Sequence, residues 1–227
     1  MVEIKKFSAK ADGEKKLSEA FRVREFACHD GTDAVYVDRG LVIHLQAIRN
    51  WACAPVKITS GYRTPAHNKK IGGSVSSYHV EGQAADIVVT GKTVEEVARF
   101  AEAIGVTGIE VNKDSNYVHV DTRRARYYWR RVGGKNITVS TFGGSCPYTR
   151  PAVTLRKGDT GAGVRWLQWW LRLWGCNITV DGSFGEKTLS AVKTVQARAG
   201  LVADGVVGAK TRVTLMGELN LFAQIKI

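Results

Sequence analysis

Apolar residues follow two different periods in the first 121 residues, and the change between them marks the predicted elements. Spacings of three and four residues predict a helix that begins after Asp38, its expected N-cap, and runs to Trp51. Thr93 and Glu96 form a capping box that predicts the start of a second helix, with its end at Gly105. Short apolar or alternating runs predict strands at residues 56–60, 87–90, 108–111 and 117–121. Together these elements predict an α+β domain with a mainly antiparallel sheet.

Two stretches lack this periodicity. Residues 12–30 carry mixed charges and are predicted to be irregular. Four glycines and Pro147 crowd the stretch after residue 132, which predicts a linker that ends near Pro151. The pattern therefore predicts an N-terminal domain at residues 1–132, a linker at 133–152 and a second domain at 153–227.

An internal repeat dominates the second domain. Asp181-Gly-Ser-Phe-Gly-Glu-Lys-Thr188 recurs as Asp204-Gly-Val-Val-Gly-Ala-Lys-Thr211, and each copy places a glycine-bearing turn before the start of a helix. A further helix is predicted before the first copy, with Val164, Leu167 and Leu171 on one face. Three short helices joined by Asp-Gly turns predict a small all-α domain, within the size range that folds alone.

Charge and composition narrow the choice of partner without fixing it. The 33 Lys and Arg residues outnumber the 21 Asp and Glu residues, which gives a formal net charge of +12. Such a balance favours an anionic partner, either nucleic acid or the anionic polymers of a bacterial wall. The chain has no apolar run of 18 residues, so no membrane insertion is expected. Its four cysteines occur singly, which argues against a zinc knuckle and predicts idle or buried thiols.

Two histidines and one aspartate are the strongest candidates for chemistry. His79 and Asp86 flank a glycine-containing loop that leads into a strand, and His119 lies in another strand. Two imidazoles and one carboxylate suit a catalytic zinc ion with a fourth position left to water, although ordinary histidines would give the same spacing. Alternation along the strand places Asp121 on the face of His119, either to orient that ligand or to act as a base. Arg63 is the expected cation for a substrate carboxylate or an oxyanion.

Residues 123–131 form a cluster of arginines and aromatic residues. Such a cluster suits phosphates and stacked bases. We favour the alternative, a solvated face beside a packed Trp129. Nucleic-acid binding is therefore the least favoured of the functional hypotheses.

The motifs around these residues resemble a known family. Ser60-Gly-Tyr-Arg63, Ser77-Tyr-His79-x-x-Gly82-x-Ala84-x-Asp86 and His119-Val-Asp121 are similar to the signatures of the VanY-like zinc D,D-peptidases, over roughly residues 18–130. The family includes D-alanyl-D-alanine carboxypeptidases and phage endolysin endopeptidases. The resemblance implies that one zinc ion is bound by His79, Asp86 and His119. It also implies that Arg63 binds substrate and that Ser77 lies near the metal.

One position departs from the family pattern. Many members carry an acidic general base three residues before the second zinc histidine, where this chain has Asn116. An amide cannot accept a proton from water, so the role passes to another acid or activity is lost. We rank the candidates as Asp121, then Glu110, whose apolar strand would raise its pKa, then Asp114.

The second domain has a resemblance of its own. Leu155-Arg-Lys-Gly-Asp-Thr-Gly161, Val164-Arg-Trp-Leu-Gln168 and the two Asp-Gly repeats are similar to the three-helix peptidoglycan-binding domain of cell-wall hydrolases. The resemblance implies a targeting role. Trp166, Trp169 and Trp170 exceed the needs of one core stripe, and Trp166 and Trp170 are the predicted sugar-stacking residues. The alternative is that all three pack in the core.

The preferred hypothesis is a zinc peptidase that cleaves an amide bond in the stem peptide or cross-link of peptidoglycan and is held at the wall by its C-terminal domain. The alternative, motivated by Asn116, is a non-catalytic wall-binding protein that retains a structural zinc site. A monomer is expected. The start of the chain lacks the apolar segment of a secretory signal, so we expect synthesis in the cytoplasm and release at phage lysis or by another route. The sequence leaves open which bond is cleaved.

Overall fold

A computed structural model describes residues 3–216 of the chain. The chain divides into two compact units, the first built mainly from residues up to Gly144 and the second mainly from Ser145 onward. The prediction of an α+β domain followed by a small three-helix domain is confirmed. The end of the second predicted domain, residues 217–227, lies outside the described residues.

The first unit contains eight strands and four α-helices in its described part. Its elements are β1 (Ile4–Ser8), α1 (Ala9–Asp12), β2 (Ala34–Asp38), α2 (Arg39–Ala52), β3 (Val56–Ser60), α3 (Pro65–Lys70), β4 (Ala84–Val89), α4 (Val94–Ala103), β5 (Gly108–Asn112), β6 (Tyr117–Asp121), β7 (Tyr127–Val132) and β8 (Lys135–Val139). A 3₁₀ turn, Val23–Phe26, interrupts the segment predicted to be irregular. Strands β1 and β2 form a separate antiparallel pair that the sequence pattern did not reveal.

The main sheet has the strand order β3-β4-β6-β5-β7-β8. All neighbouring strands are antiparallel except β5 and β7, which are parallel. The buried residues of α4 pack this helix against β5 and β6, and its capping box forms as predicted, with the Thr93 hydroxyl accepting from the Glu96 amide. Strands β4, β6 and β5 are therefore adjacent in the interior of the sheet.

The predicted linker begins too early. Residues 135–139 form strand β8, which pairs with β7 through the turn at Gly133 and Gly134. Beyond the strand, the amides of Phe142 and Gly144 donate to the carboxylate of Glu102 on α4, at 2.7 and 2.9 Å. The strand escaped prediction because it is short and exposed at the edge of the sheet, so the flanking glycines dominated the pattern.

The second unit consists of three helices and two loops of the Asp-Gly repeat. Its helices are α5 (Ala162–Leu173), α6 (Glu186–Arg198) and α7 (Ala209–Leu215). Gln168 on α5 is buried beneath the first loop, where its Nε2 lies 2.7 Å from Asp181 Oδ1 and its Oε1 accepts from the Gly182 amide at 2.8 Å.

Gln196 on α6 makes the same contacts with the second loop. Its Nε2 lies 2.9 Å from Asp204 Oδ1, and its Oε1 accepts from the Gly205 amide at 2.9 Å. Each glutamine also reaches a loop carbonyl and the threonine at the end of the repeat, Thr188 or Thr211. The repeat is therefore a structural unit of loop, helix start and buried glutamine.

Candidate metal centre and active-site cleft

Neighbouring strands bring the predicted metal ligands together. Asp86 is the third residue of β4 and lies directly opposite His119 of β6. His79 approaches from the loop before β4. Gly82 shapes this loop, since its φ is 72° and a Cβ there would lie 2.4 Å from the carbonyl oxygen of Tyr36. Gly82, which is part of the motif that resembles the family, therefore shapes the loop that carries His79.

Three side-chain atoms converge at the centre of this cluster. His119 Nδ1 lies 2.9 Å from Asp86 Oδ1 and 3.1 Å from His79 Nε2. The remaining distance, from His79 Nε2 to Asp86 Oδ1, is 3.3 Å. Nitrogen and oxygen ligands of a tetrahedral zinc ion lie about 3.3 Å apart, given bond lengths of about 2.0–2.1 Å. Both the donor types and their separations therefore fit one zinc ion.

Each histidine is held by its other ring nitrogen. His79 Nδ1 lies 2.7 Å from the carbonyl oxygen of Gly61, to which it can only donate, so Nε2 is left with a lone pair. His119 Nε2 lies 3.0 Å from Asp121 Oδ2, which leaves Nδ1 to face the cluster. Carbonyl and carboxylate partners of this kind fix the ring orientation of metal-binding histidines.

The third candidate ligand is held in the same way. Arg63 donates from its guanidinium to Asp86 Oδ2 at 2.5 Å and to Ser60 Oγ at 2.8 Å. The other carboxylate oxygen of Asp86 is thereby directed at the two histidines. All three side chains thus keep one atom fixed by the protein and present another inward.

The electrostatics of the cluster favour a cation at its centre. Burial alone would lower the pKa of His119, but hydrogen bonds with Asp121 and Asp86 raise it to about 9. Burial would raise the pKa of Asp86, yet the two imidazoles hold it well below its usual range. Burial lowers the pKa of His79. A proton on His119 therefore balances the carboxylates here, and a divalent cation would supply that charge instead.

The cluster lies in a cleft of about 600 Å³. Besides the candidate ligand Asp86, the charged residues on its walls are the carboxylate Glu110 and three guanidinium groups, those of Arg63, Arg123 and Arg131. Its polar and aromatic lining comprises Ser74, Ser76, Ser77, Tyr78, Tyr117, Tyr127, Trp129 and Asn136. Of the residues predicted from sequence, the structure therefore brings His79, Asp86, His119, Arg63, Ser77 and Glu110 to one cleft.

The first-ranked base, Asp121, is placed wrongly for that role. Its side chain is fully buried and pairs with His119 on the side of the ring that faces away from the cluster. Its oxygens are also engaged by the guanidinium of Arg123, which holds the pKa of the carboxyl well below its usual range despite burial. Asp121 therefore orients His119, the other role that the strand alternation allowed.

Glu110 is the acid that the structure places in the cleft. It lies directly opposite His119 on β5, and burial raises its pKa. Asn112 Nδ2 donates to its Oε1 at 3.1 Å. Asp114, the third candidate, instead accepts from the amides of Gly133 and Gly134 and is not among the cleft residues.

The departure at Asn116 has a structural explanation. Asn116 is exposed in the turn between β5 and β6, has a φ of 53° and is not among the residues that line the cleft. An acid at this position would therefore point away from the cluster in this fold. The base expected three residues before His119 is absent from the sequence, but a carboxylate lies beside His119 on the neighbouring strand.

The basic and aromatic cluster at residues 123–131 forms one wall of the cleft. The Arg123 guanidinium lies 4.8 Å from the ring centroid of Tyr78, 5.3 Å from that of Tyr127 and 5.1 Å from that of Trp129. The ring centroid of Trp129 in turn lies 5.5 Å from that of His119, with the two rings tilted by 49°. The interpretation as a solvated face missed this role, which alternation along β7 would have shown, since Tyr127, Trp129 and Arg131 share a face.

Tyr117 is a further cleft residue that sequence reasoning did not assign. Alternation already put it on the face of His119, and the structure places it in the cleft. Burial raises the pKa of its hydroxyl to about 12, so the group remains a hydrogen-bond donor at neutral pH.

The predicted sugar-stacking tryptophans are wrong. Trp166 and Trp170 are each 2% exposed, so neither offers a face to a sugar ring. They are four residues apart on α5 and share its buried face with Trp174. Trp169, one position off that face, is partly exposed.

Comparison with known families decides the identity of both units. Residues 18–121 match the family described as Peptidase M15, and residues 160–215 match a peptidoglycan binding domain. The N-terminal unit thus matches the peptidase M15 family over most of its length. The family resemblances of both units are thereby confirmed.

Two of the similar proteins are named as peptidases. The chain is 33% identical over 79 residues to the peptidoglycan L,D-endopeptidase MepK of Escherichia coli K12, which is 33% of this chain and 43% of the relative. It is 40% identical over 63 residues to the zinc D-Ala-D-Ala carboxypeptidase of Streptomyces albus G, 26% of this chain and 24% of the relative. The chain thus spans less than half the length of these relatives.

A solved structure shares a short segment with this chain. The Burkholderia AP3 phage endolysin is 48% identical over 27% of this chain and 24% of its own, with a TM-score of 0.27.

None of the helices in residues 3–216 is long and apolar enough to cross a membrane.

Proposed function

We propose that the protein is a zinc-dependent peptidase that cleaves an amide bond in the stem peptide or cross-link of peptidoglycan. The observation that carries the proposal is the convergence of His79 Nε2, Asp86 Oδ1 and His119 Nδ1 within 3.3 Å of one another on the cleft wall. Their outward atoms are all engaged by the protein, so the inward atoms are arranged for a ligand. The M15 match and the zinc carboxypeptidase relative support zinc as that ligand.

When bound, zinc would supply a Lewis acid that polarises the scissile carbonyl and makes water a better nucleophile. The remaining chemistry belongs to side chains of the cleft. Glu110 accepts the proton of the attacking water on its carboxylate and returns it to the leaving amine, a role suited to its raised pKa. Tyr117 donates a hydrogen bond to the substrate oxygen as it gains negative charge.

The arginines define what the cleft accepts. These three arginines, Arg63, Arg123 and Arg131, line it together with two carboxylates, those of Asp86 and Glu110. A peptide stem with free carboxylates is complementary to this excess of positive charge. Arg63 is bonded to the candidate ligand Asp86 and is the proposed contact for a substrate carboxylate.

The C-terminal domain is proposed to hold the enzyme at its substrate. Its match to a peptidoglycan binding domain supports peptidoglycan as the partner. Tethering to the wall would raise the local concentration of the catalytic domain without any change in its active site. The expectations that the protein is a monomer, binds no nucleic acid and reaches the wall after release from the cytoplasm stay predictions.

Metal removal tests the proposal directly. We expect purified protein to stop solubilising peptidoglycan when dialysed against a chelator, and to regain activity when zinc is added. Mass spectrometry of the digested wall should show new peptide termini, which also identify the bond. Wall clearing that survives both chelation and the substitution His119→Ala would refute the proposal.

A further inference from the structure

A second group of metal-binding side chains lies outside the cleft. Cys28, Asp30 and His67 place a thiol, a carboxylate oxygen and an imidazole nitrogen within 4.8 Å of one another. Cys28 and Asp30 follow the 3₁₀ turn Val23–Phe26, and His67 lies in the first turn of α3. In residues 3–216 this is one of two such groups, the other being the cluster in the cleft.

The framework around this group brings its two chain segments together. The amide of Tyr62 donates to the carbonyl of Phe26 at 2.8 Å. Thr64, the N-cap of α3, donates from its amide to Cys28 Sγ at 3.4 Å and from its hydroxyl to Asp30 Oδ2 at 2.5 Å. These bonds hold Cys28 and Asp30 beside the first turn of α3, where the His67 imidazole lies within 4.8 Å of both donor atoms.

The donor set selects the kind of metal. A thiolate is a poor ligand for calcium or magnesium but a strong one for zinc, and thiolate, imidazole and carboxylate are the ligand types of zinc sites. A sulfur and a nitrogen on one tetrahedral zinc ion lie about 3.5 Å apart, given bond lengths of about 2.3 and 2.0 Å. The exposed carboxylate of Asp30 is held by the Thr64 hydroxyl and the Thr32 amide, and the half-buried His67 can close the remaining distance by side-chain rotation.

We propose that Cys28, Asp30 and His67 bind a second zinc ion, separate from the ion of the cleft. The fourth position falls to water or to His29, whose ring centroid lies 6.4 Å from that of His67. Such a site would bind the segment after the 3₁₀ turn to the start of α3. Because Arg63 immediately precedes Thr64, the ion would also hold in place the loop that carries Arg63 into the cleft. The expectation of a single zinc ion would then be wrong.

Cobalt substitution tests this site independently of activity. Thiolate ligation to cobalt(II) gives an intense near-ultraviolet charge-transfer band, whereas the cluster of His79, Asp86 and His119 contains no sulfur. We expect the full-length protein loaded with cobalt to show this band and to bind two ions per chain by elemental analysis. The Cys28→Ser variant should lose the band and bind one ion.

Other cysteines provide matched controls. Cys146→Ser and Cys176→Ser should retain both the band and the second ion, since neither thiol belongs to the group. The variant Asp30→Asn changes an exposed residue and leaves the buried side chains unaltered. It should weaken cobalt binding at the second site at least tenfold. Absence of the band in cobalt-loaded wild-type protein, or its persistence in Cys28→Ser, would overturn the second site and leave the proposed activity unaffected.

Discussion

The two domains each bury a polar network, and the networks are built in opposite ways. In the C-terminal domain, the side chains of Gln168 and Gln196 direct every polar atom to a partner in the adjoining loop. In the N-terminal domain, the surrounding protein holds only the outward atoms of His79, Asp86 and His119. Their inward atoms face one another and carry more lone pairs than protons.

This difference separates a structural network from a binding site. A closed network gains stability from groups that are already satisfied and has no need of a ligand. An open network of converging acceptors is costly unless a proton or a metal ion occupies its centre. The raised pKa of His119, about 9, is the sign of that requirement in the N-terminal cluster. The hydrogen bonds of Gln168 and Gln196 to their loops leave no such requirement for a proton or metal ion.

The largest expected effect lies at Glu110. The variant Glu110→Gln removes the proposed proton acceptor while preserving the shape of the side chain. We expect the initial rate of release of peptide termini from purified peptidoglycan to fall by about 10²–10⁴-fold, the usual contribution of general acid–base catalysis. Bound zinc, measured by elemental analysis, should be unchanged because Glu110 is not among the converging atoms.

Asn116 supplies the control for this prediction. An Asn116→Asp substitution restores the acid at the position that many family members use, but this residue lies in an exposed turn and not in the cleft. We therefore expect no recovery of activity when it is added to Glu110→Gln. Recovery by the double variant would show that the turn rearranges to deliver the base, and Glu110 would lose its assigned role.

The closed network predicts a loss of stability instead of activity. Gln168→Ala leaves the buried amide of Gly182 without an acceptor and opens a small cavity, at a cost of about 2–4 kcal/mol. Denaturation of the full-length protein can be followed by fluorescence, since four of its six tryptophans lie in residues 166–174. Gln196→Ala should cost a similar amount because its contacts repeat those of Gln168.

The matching surface control is Lys187→Ala, on the exposed side of α6. It should change the free energy of unfolding by less than about 0.5 kcal/mol. Equal and small effects for all three variants would contradict the view that the glutamines stabilise the loops of the repeat.

Local patterns in the sequence predicted most of the fold. The capping box at Thr93 and the alternation in β5 and β6 are signals within a few residues, and the structure reproduces them. Strand β8 offers only the β-branched residues 137–139 as a signal, because an exposed edge strand has no buried face that would fix the alternation of apolar and polar residues. Helical spacing alone could have shown that Trp166 and Trp170 share the buried face of α5.

At the candidate site, local sequence patterns predict which residues share a face but not how they contact one another. Alternation along β6 placed Asp121 and His119 on one face of the sheet. It did not show which nitrogen of the imidazole the Asp121 carboxylate contacts. That depends on packing across strands: Gly108 lies opposite Asp121, and a Cβ at Gly108 would come within 2.0 Å of its Oδ1. Similarly, Glu110 is nine residues from His119 in sequence but directly opposite it in the sheet. The base could only be chosen once the register was known.

The smallest predicted effect distinguishes orientation from catalysis at Asp121. Asp121→Asn keeps an acceptor for His119 Nε2 but removes the charge. We expect zinc affinity to fall by about 10–100-fold, the usual cost of altering a partner of a metal-binding histidine. Activity should then return when zinc is added to saturation, and titration against a competing chelator measures the affinity. Circular dichroism controls for folding, since Arg123 also loses its ionic partner. A base would behave differently, because saturating zinc cannot replace a proton acceptor. Loss of activity at full zinc occupancy would therefore restore Asp121 to the catalytic role and remove the orienting one.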